Sequence, residues 1–174
     1  MRGLFIGRFQ PFHLGHLYAL KWMLKRADEI IIGIGSAQIS YTIRNPFTLG
    51  ERIEMIWRVL RYEKLYDRCI IIGLPDTDEI HTTWVAYIKT FSPKFDIVFT
   101  NDPLSIMLLK RENISVSNIP FFNRKNFSAT NIRKKMLEND AWRKYLHPEV
   151  TKYLDEINAP QRLRMICNLE GKNK

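Results

Sequence analysis

Cysteine is nearly absent from this chain. Cys69 and Cys167 are its only two among 174 residues, and neither sits in a CxxC or Cys/His spacing, which argues against a disulfide framework and a zinc site. Long apolar runs are missing too: none approaches the ~18 residues a membrane-spanning helix needs. The N-terminus enters a strand-like segment without the basic start, apolar stretch and small-residue cleavage site of a signal peptide. A reduced, cytoplasmic setting without membrane partners is therefore expected. There is no low-complexity linker and no internal repeat, so a single domain over 1–174 is expected, with a core over 1–163 and a tail over 164–174. Acidic residues are the last deficit. Eighteen Asp and Glu face 27 Lys and Arg, leaving a formal charge of +9, which favours anionic partners without choosing between nucleotides and nucleic acid.

What is present is a regular alternation. Five short apolar runs, Gly3–Phe9, Glu29–Gly35, Cys69–Leu74, Phe95–Thr100 and Ile114–Ile119, are spaced along the chain. The first four are rich in Ile, Val and Phe, as strands buried on both faces are; the fifth alternates apolar with polar, like an edge strand. Helix-period stretches lie between them. Leu17, Leu20, Met23 and Leu24 share one face, and Thr48 with Glu51 forms a capping box ahead of Ile53, Ile56, Trp57 and Leu60. Further helices are expected over Thr82–Phe91, from Pro103 to near Arg111, over Thr130–Glu138 and over Pro148–Ile157. Such alternation implies right-handed crossovers and an open parallel α/β sheet of about five strands with helices on both faces. Ligands of these sheets sit beyond the carboxyl ends of the strands, where the strand order reverses.

The first strand runs directly into GRFQPFHLGH, from Gly7 to His16. Gly7 permits a close backbone approach at the strand end, Arg8 sets a permanent cation there, and Pro11 stiffens the loop. With a helix starting near Leu14, His13 and His16 are placed to face one anionic ligand. Gly15 removes a side chain from the helix N-terminus, where free N–H groups and the dipole favour negative charge. A metal role for the histidine pair lacks a third ligand nearby. A second segment, FSATNIRKKM from Phe127 to Met136, offers Ser128, Thr130 and Arg133 at another helix start, suited to phosphate. GIGSAQ is a decoy: Gly33 and Gly35 make a GxG, but Gln38 stands where a dinucleotide fingerprint needs a small residue.

HLGH resembles the HxGH signature of the nucleotidyltransferases related to class I aminoacyl-tRNA synthetases. The longer GRFQPFHLGH resembles the archaeal-type nicotinamide mononucleotide (NMN) adenylyltransferases, and the likeness extends from about Arg2 to Leu163. It implies a Rossmann-like sheet and roles for individual residues. Gly7, Arg8, Phe9, His13, Gly15 and His16 would bind ATP, with Phe127, Ser128, Thr130 and Arg133 cradling its β- and γ-phosphates, since FSATNIR resembles the ISSTxIR motif. GSAQISYTIRNPFTLGERIEMI resembles the block in which an Arg before NPFT assists catalysis, here Arg44. Trp84 aligns with a Trp that stacks on nicotinamide. The chain departs from the pattern at Thr77 and His81, where an Asp and an Asn are common in the acceptor region, at Asp102 before Pro103, at Ala129 for Gly and at Tyr41 for His.

The resemblance thus implies that the phosphate of NMN attacks the α-phosphorus of ATP and gives NAD and pyrophosphate. No Ser or Cys with an adjacent base offers itself as a nucleophile, so direct in-line displacement is the expected route. Arg8, His13, His16, Arg44 and Arg133 would act as its cations and donors, with Mg²⁺ held by phosphates and water rather than by a protein cage. The family commonly forms homo-oligomers. Two rivals remain: transfer of AMP or CMP to another phosphorylated acceptor, and a basic nucleic-acid-binding module. The second lacks any RNP, KH or zinc-finger signature, and no nucleic-acid partner is expected.

Overall fold

A computed structural model describes residues 1–77, 80–120, 122 and 127–172. The five apolar runs become five parallel strands, β1 (Arg2–Gly7), β2 (Glu29–Ile34), β3 (Cys69–Gly73), β4 (Ile97–Phe99) and β5 (Val116–Ser117), in the order β3-β2-β1-β4-β5. Seven α-helices are described: α1 (Leu14–Met23), α2 (Leu49–Tyr62), α3 (Trp84–Phe91), α4 (Pro103–Arg111), α5 (Ala129–Leu137), α6 (Pro148–Glu156) and α7 (Ala159–Lys172). The order reverses between β1 and β4, so the crevice that open sheets offer to ligands lies at the end of β1.

Alternation along each strand splits the core in two. Phe5, Ile30, Ile32 and Phe99 pack with α1, α2, α5, α6 and α7 on one face. Leu4, Ile31 and Val98 pack with Val85 and Ile88 of α3 and Leu109 of α4 on the other. The middle of β1 and nearly all of β2 are thus buried on one side or the other, which explains the unbroken apolar runs.

The helix starts follow local chemistry. Thr48 and Glu51 make the expected reciprocal capping box of α2, each side chain accepting from the other's backbone N–H at 3.2 and 2.9 Å. Asp102 caps α4 by accepting from the Ser105 N–H at 2.8 Å, so at this position Asp does the capping that Asn would do.

Four expectations need correction. β1 ends at Gly7, and Phe9 has already turned away with φ 50°. A 3₁₀ turn over His81–Thr83 precedes α3, which begins at Trp84 rather than Thr82. Trp57, grouped by the sequence with Ile53, Ile56 and Leu60 as a packing residue, is instead 40% exposed and meets Tyr66 edge-on. The stretch from 164 onward is not a loose tail: through Lys172 it belongs to α7, which buries Ala159, Leu163 and Ile166. Those three are spaced i, i+4 and i+7, a signal the sequence carried. Pro160 masks it, although proline is tolerated in a first turn, where N–H groups have no intrahelical partner. The last two residues lie outside the described residues. Cys69 and Cys167 are both free thiols.

Candidate active site

The loop after β1 is built on buried aromatic rings. Phe9 and Phe12 are each 1% exposed, and Phe9 meets the His16 ring edge-on at 4.9 Å. A Cβ on Gly7 would lie 2.8 Å from the Phe9 ring. Gly7 is therefore needed to seat Phe9, whose buried ring leaves mainly its backbone to offer a nucleotide.

His13 is the N-cap of α1, and the two histidines form a capping box of their own. The His13 Nδ1 accepts from the His16 N–H at 3.3 Å, and the His16 Nδ1 accepts from the His13 N–H at 3.2 Å. Histidine here replaces the usual Ser and Glu. A ring nitrogen that accepts a hydrogen bond carries no proton, so in both neutral rings the proton sits on Nε2. The rings stack at 3.5 Å with 14° between planes. Burial pushes the His13 pKa down to about 4, and burial with His13 alongside holds His16 well below the usual histidine range. Both are neutral at pH 7. Of the cations and donors expected from the sequence, this pair is thus two fixed N–H donors.

The positive charge comes from arginines. Arg133, in the first turns of α5, is 6% exposed and donates to the Gln10 carbonyl at 2.8 Å and to the Thr130 hydroxyl at 3.4 Å. Its buried Nε–H has no partner among the described residues. Burial, then Arg8 and Arg44, lower its pKa to about 10, so it remains charged. Arg8 is lowered by desolvation and by Arg44, opposed by Asp76. Arg44 thus acts on both Arg8 and Arg133, and Arg8 on Arg133, so the three guanidinium groups lie within electrostatic reach of one another. Ser128 caps α5, accepting from the Asn131 N–H, and Ala129 begins the helix. The Phe127 ring lies nearly parallel to His13 at 6.3 Å. A Cβ on Gly15 would meet Phe127 at 2.7 Å and His13 at 3.1 Å. Gly15 thus lets the two motif segments touch directly.

Four further residues organise this region. Gln10, 1% exposed, exchanges two hydrogen bonds with the Phe47 backbone at 2.9 and 3.0 Å while its carbonyl accepts from Arg133. It therefore ties the first motif, the NPFT element and α5 together. Arg52 is fully buried and donates to the carbonyls of Arg8, Gly35, Ser36 and Thr48; burial lowers its pKa to about 10. Asp76 accepts from the Ser36 N–H at 3.1 Å and is locked to Gln38, whose amide oxygen accepts from the Asp76 N–H at 3.0 Å. A carboxylate therefore stands one residue before Thr77. Asn101 pairs with both backbone groups of Ile119 at 2.6 and 2.9 Å, a side-chain rung joining the ends of β4 and β5. Polar residues of this kind carry no periodicity.

Between the ends of β1 and β4 opens a cleft of about 380 Å³, lined by His13, His16, Phe99, Asn101, Ile119 and Phe127 among others. The residues expected on the acceptor side stand apart from it. Thr77 is half-buried with its carbonyl accepting from the Ile80 N–H, His81 is exposed, and Trp84 packs half-buried against the opposite core. Among the described residues no group of three or more His, Cys, Asp or Glu is set to hold a metal ion, and no helix is long and apolar enough to cross a membrane.

A cytidylyltransferase-like family model matches residues 4–135. This chain belongs to the cytidylyltransferase-like family. A protein of Saccharolobus solfataricus named nicotinamide-nucleotide adenylyltransferase is 45% identical to it, covering 97% of this chain and 98% of its own. One of the same name from Pyrococcus furiosus is 43% identical over 99% of this chain and 93% of its own. The resemblance read from the motifs therefore holds along the full chain and with archaeal proteins. Among solved structures, a bifunctional NMN adenylyltransferase/ADP ribose pyrophosphatase from Francisella tularensis, complexed with AMP and a manganese ion, superposes with a TM-score of 0.76 at 24% identity. It covers 95% of this chain, which spans 51% of that longer protein. The Rossmann-like α/β sheet is shared.

Proposed function

We propose that this chain is an NMN adenylyltransferase, joining ATP and NMN into NAD and pyrophosphate within one domain. The observation that carries the reading is the stacked histidine pair. Both Nδ1 atoms are occupied by backbone amides, so both Nε2–H groups are left to donate in the cleft at the ends of β1 and β4, and Arg133 is bonded to the Gln10 carbonyl of the same loop. Such an array suits a polyphosphate whose charge builds up during transfer.

Every group in the proposal binds or orients. His13 and His16 donate to phosphate oxygens of ATP, Arg133 and the Ser128–Thr130 helix start hold the β- and γ-phosphates, and Arg8 and Arg44 draw the two polyanions together. A phosphate oxygen of NMN attacks the α-phosphorus, and the bond to the bridging oxygen breaks, releasing pyrophosphate. Neutral histidines take no proton in this step, because the attacking phosphate is already an anion. The surroundings of the phosphates are cationic and poor in carboxylates, which suits magnesium arriving with ATP as part of the substrate. Trp84 stacks on nicotinamide, with Thr77 and His81 on the same acceptor side. Assembly of identical chains completes the reading, supported by the exposed Tyr41, Met165 and Leu169 in one apolar patch.

The test is a pyrophosphate-release assay with MgATP and a panel of acceptors: NMN, nicotinate mononucleotide and phosphopantetheine. Release with NMN and formation of NAD are expected. Release only with phosphopantetheine would move the protein to another branch of the family.

A further inference from the structure

We infer that α7 is a positioning element for the active site, and that Glu170 near its end sets the loop that carries Arg44. The inference rests on the role of Arg44 proposed above.

The loop from Ser36 to Phe47 joins β2 to α2 and has little regular structure. Its stem is well held: Arg52 collects the carbonyls of Gly35 and Ser36, and Gln10 pairs with Phe47. The middle, around Arg44, has only the short-range exchange between Thr42 and Asn45. The other hold on it comes from the far end of the chain. The Glu170 carboxylate accepts from the Ile43 N–H at 2.8 Å, across 127 residues of sequence and one residue from Arg44. Eight residues earlier on the same helix, Arg162 ion-pairs with Glu51 at 2.6 Å. Glu51 is the residue that caps α2 at the other end of the loop, and Arg162 also lies over the Tyr41 ring at 5.4 Å. α7 therefore grips the segment at Tyr41, at Ile43 and at Glu51, on both sides of Arg44. The helix is itself seated by Leu163 and Ile166, 0% and 4% exposed, packing toward α5 and α6.

A carboxylate bonded to a backbone N–H beside a catalytic arginine fixes the φ and ψ from which that side chain reaches. A displacement of about 1 Å in such a group costs up to about 100-fold in rate. Glu170 does not line the cleft, so its removal acts on turnover through Arg44 and leaves ground-state binding of ATP intact.

The experiment uses the full chain and four variants: Glu170→Ala, Glu170→Gln, Arg44→Ala and the double variant Arg44→Ala/Glu170→Ala. Expected are a fall in kcat of about tenfold for Glu170→Ala with KM for ATP within about twofold, and recovery in Glu170→Gln, whose amide oxygen still accepts the bond. The double variant should be no slower than Arg44→Ala alone. Parental kcat in Glu170→Ala, or a double variant slower by the full Glu170→Ala factor, overturns the inference. An Arg44→Ala protein at parental kcat instead overturns the role of Arg44, and that result is separate from the other two.

Discussion

The phosphate side and the acceptor side of this site are built to different standards. On the phosphate side nearly every side chain is pinned by another: His13 by His16, Arg133 by Gln10, Gln10 by Phe47, and the β1 and β2 loop ends by Arg52. On the acceptor side, Thr77, His81 and Trp84 lie on a turn and a short helix, with His81, Thr82 and Thr83 exposed. The difference has a physical reason. Transition-state charge is stabilised only by donors already in place, whereas a nucleoside ring can be gripped by a surface that forms around it. In the proposed reaction the firmly held half would supply rate and the other half selection.

The sharpest way to break that contrast is His16→Ala. It removes one donor to the phosphates and the Nδ1 that caps α1, and we expect a loss of about 10²–10³ in kcat with the fold retained. Steady-state kinetics of pyrophosphate release check it; a variant at near-full kcat would return the histidines to a merely structural role.

Gln10→Ala is expected to have the next largest effect, although Gln10 touches no substrate in the proposed mechanism. It strands the buried Phe47 N–H and C=O, costing about 1–3 kcal/mol of stability, and it loosens the junction of three motifs. A fall of about 10- to 100-fold in kcat should accompany it. Thermal unfolding and kinetics on one preparation read both numbers. Lost stability with unaltered kcat would show that the rigid half does not need its hub.

Trp84→Ala should act on the other half alone. Stacking on an aromatic base is worth about 1–3 kcal/mol, so KM for NMN rises about tenfold or more while KM for ATP stays within about twofold. An equal rise for both substrates would mean that Trp84 supports the sheet, as its packing against Leu74 and Val85 also permits.

How much of this was legible beforehand follows the same division. The five strands and the capping box at Thr48 came from periodicity and cap chemistry, which are local. The gathering of His13, His16, Arg8 and Arg133 near one strand end followed from placing two motifs on that frame. What stayed hidden was polar and long-range. Gln10 and Asn101 act by imitating backbone, Arg52 by collecting carbonyls, and Glu170 by bonding a residue 127 positions away; none leaves a period. Asp76 was hidden for a smaller reason. A carboxylate displaced by one residue looks like an absence at Thr77 when spacing is counted from Trp84. The charge state of the histidines was hidden as well, because burial sets it and burial of a polar ring cannot be read from an alternating pattern.

That charge state yields the smallest effect on rate and a definite one on stability. His13 is ordinary when the chain is unfolded, near 6.5, and depressed to about 4 when folded. Between those values the unfolded chain binds the extra proton, so stability is complete above about pH 6.5 and is lost as pH falls toward about 4. At about 1.4 kcal/mol per unit, the His13 share of that loss is about 3 kcal/mol. His16, lowered in the same direction, adds to it with the same sign. Turnover should behave differently. If both rings act as neutral donors, kcat/KM for ATP shows no acid limb near pH 6.5 and declines only as His13 titrates near pH 4. An acid limb centred near 6.5 that disappears in His13→Asn would mean that the free enzyme uses a charged imidazolium. The phosphate half would then be tuned by proton uptake rather than fixed in advance.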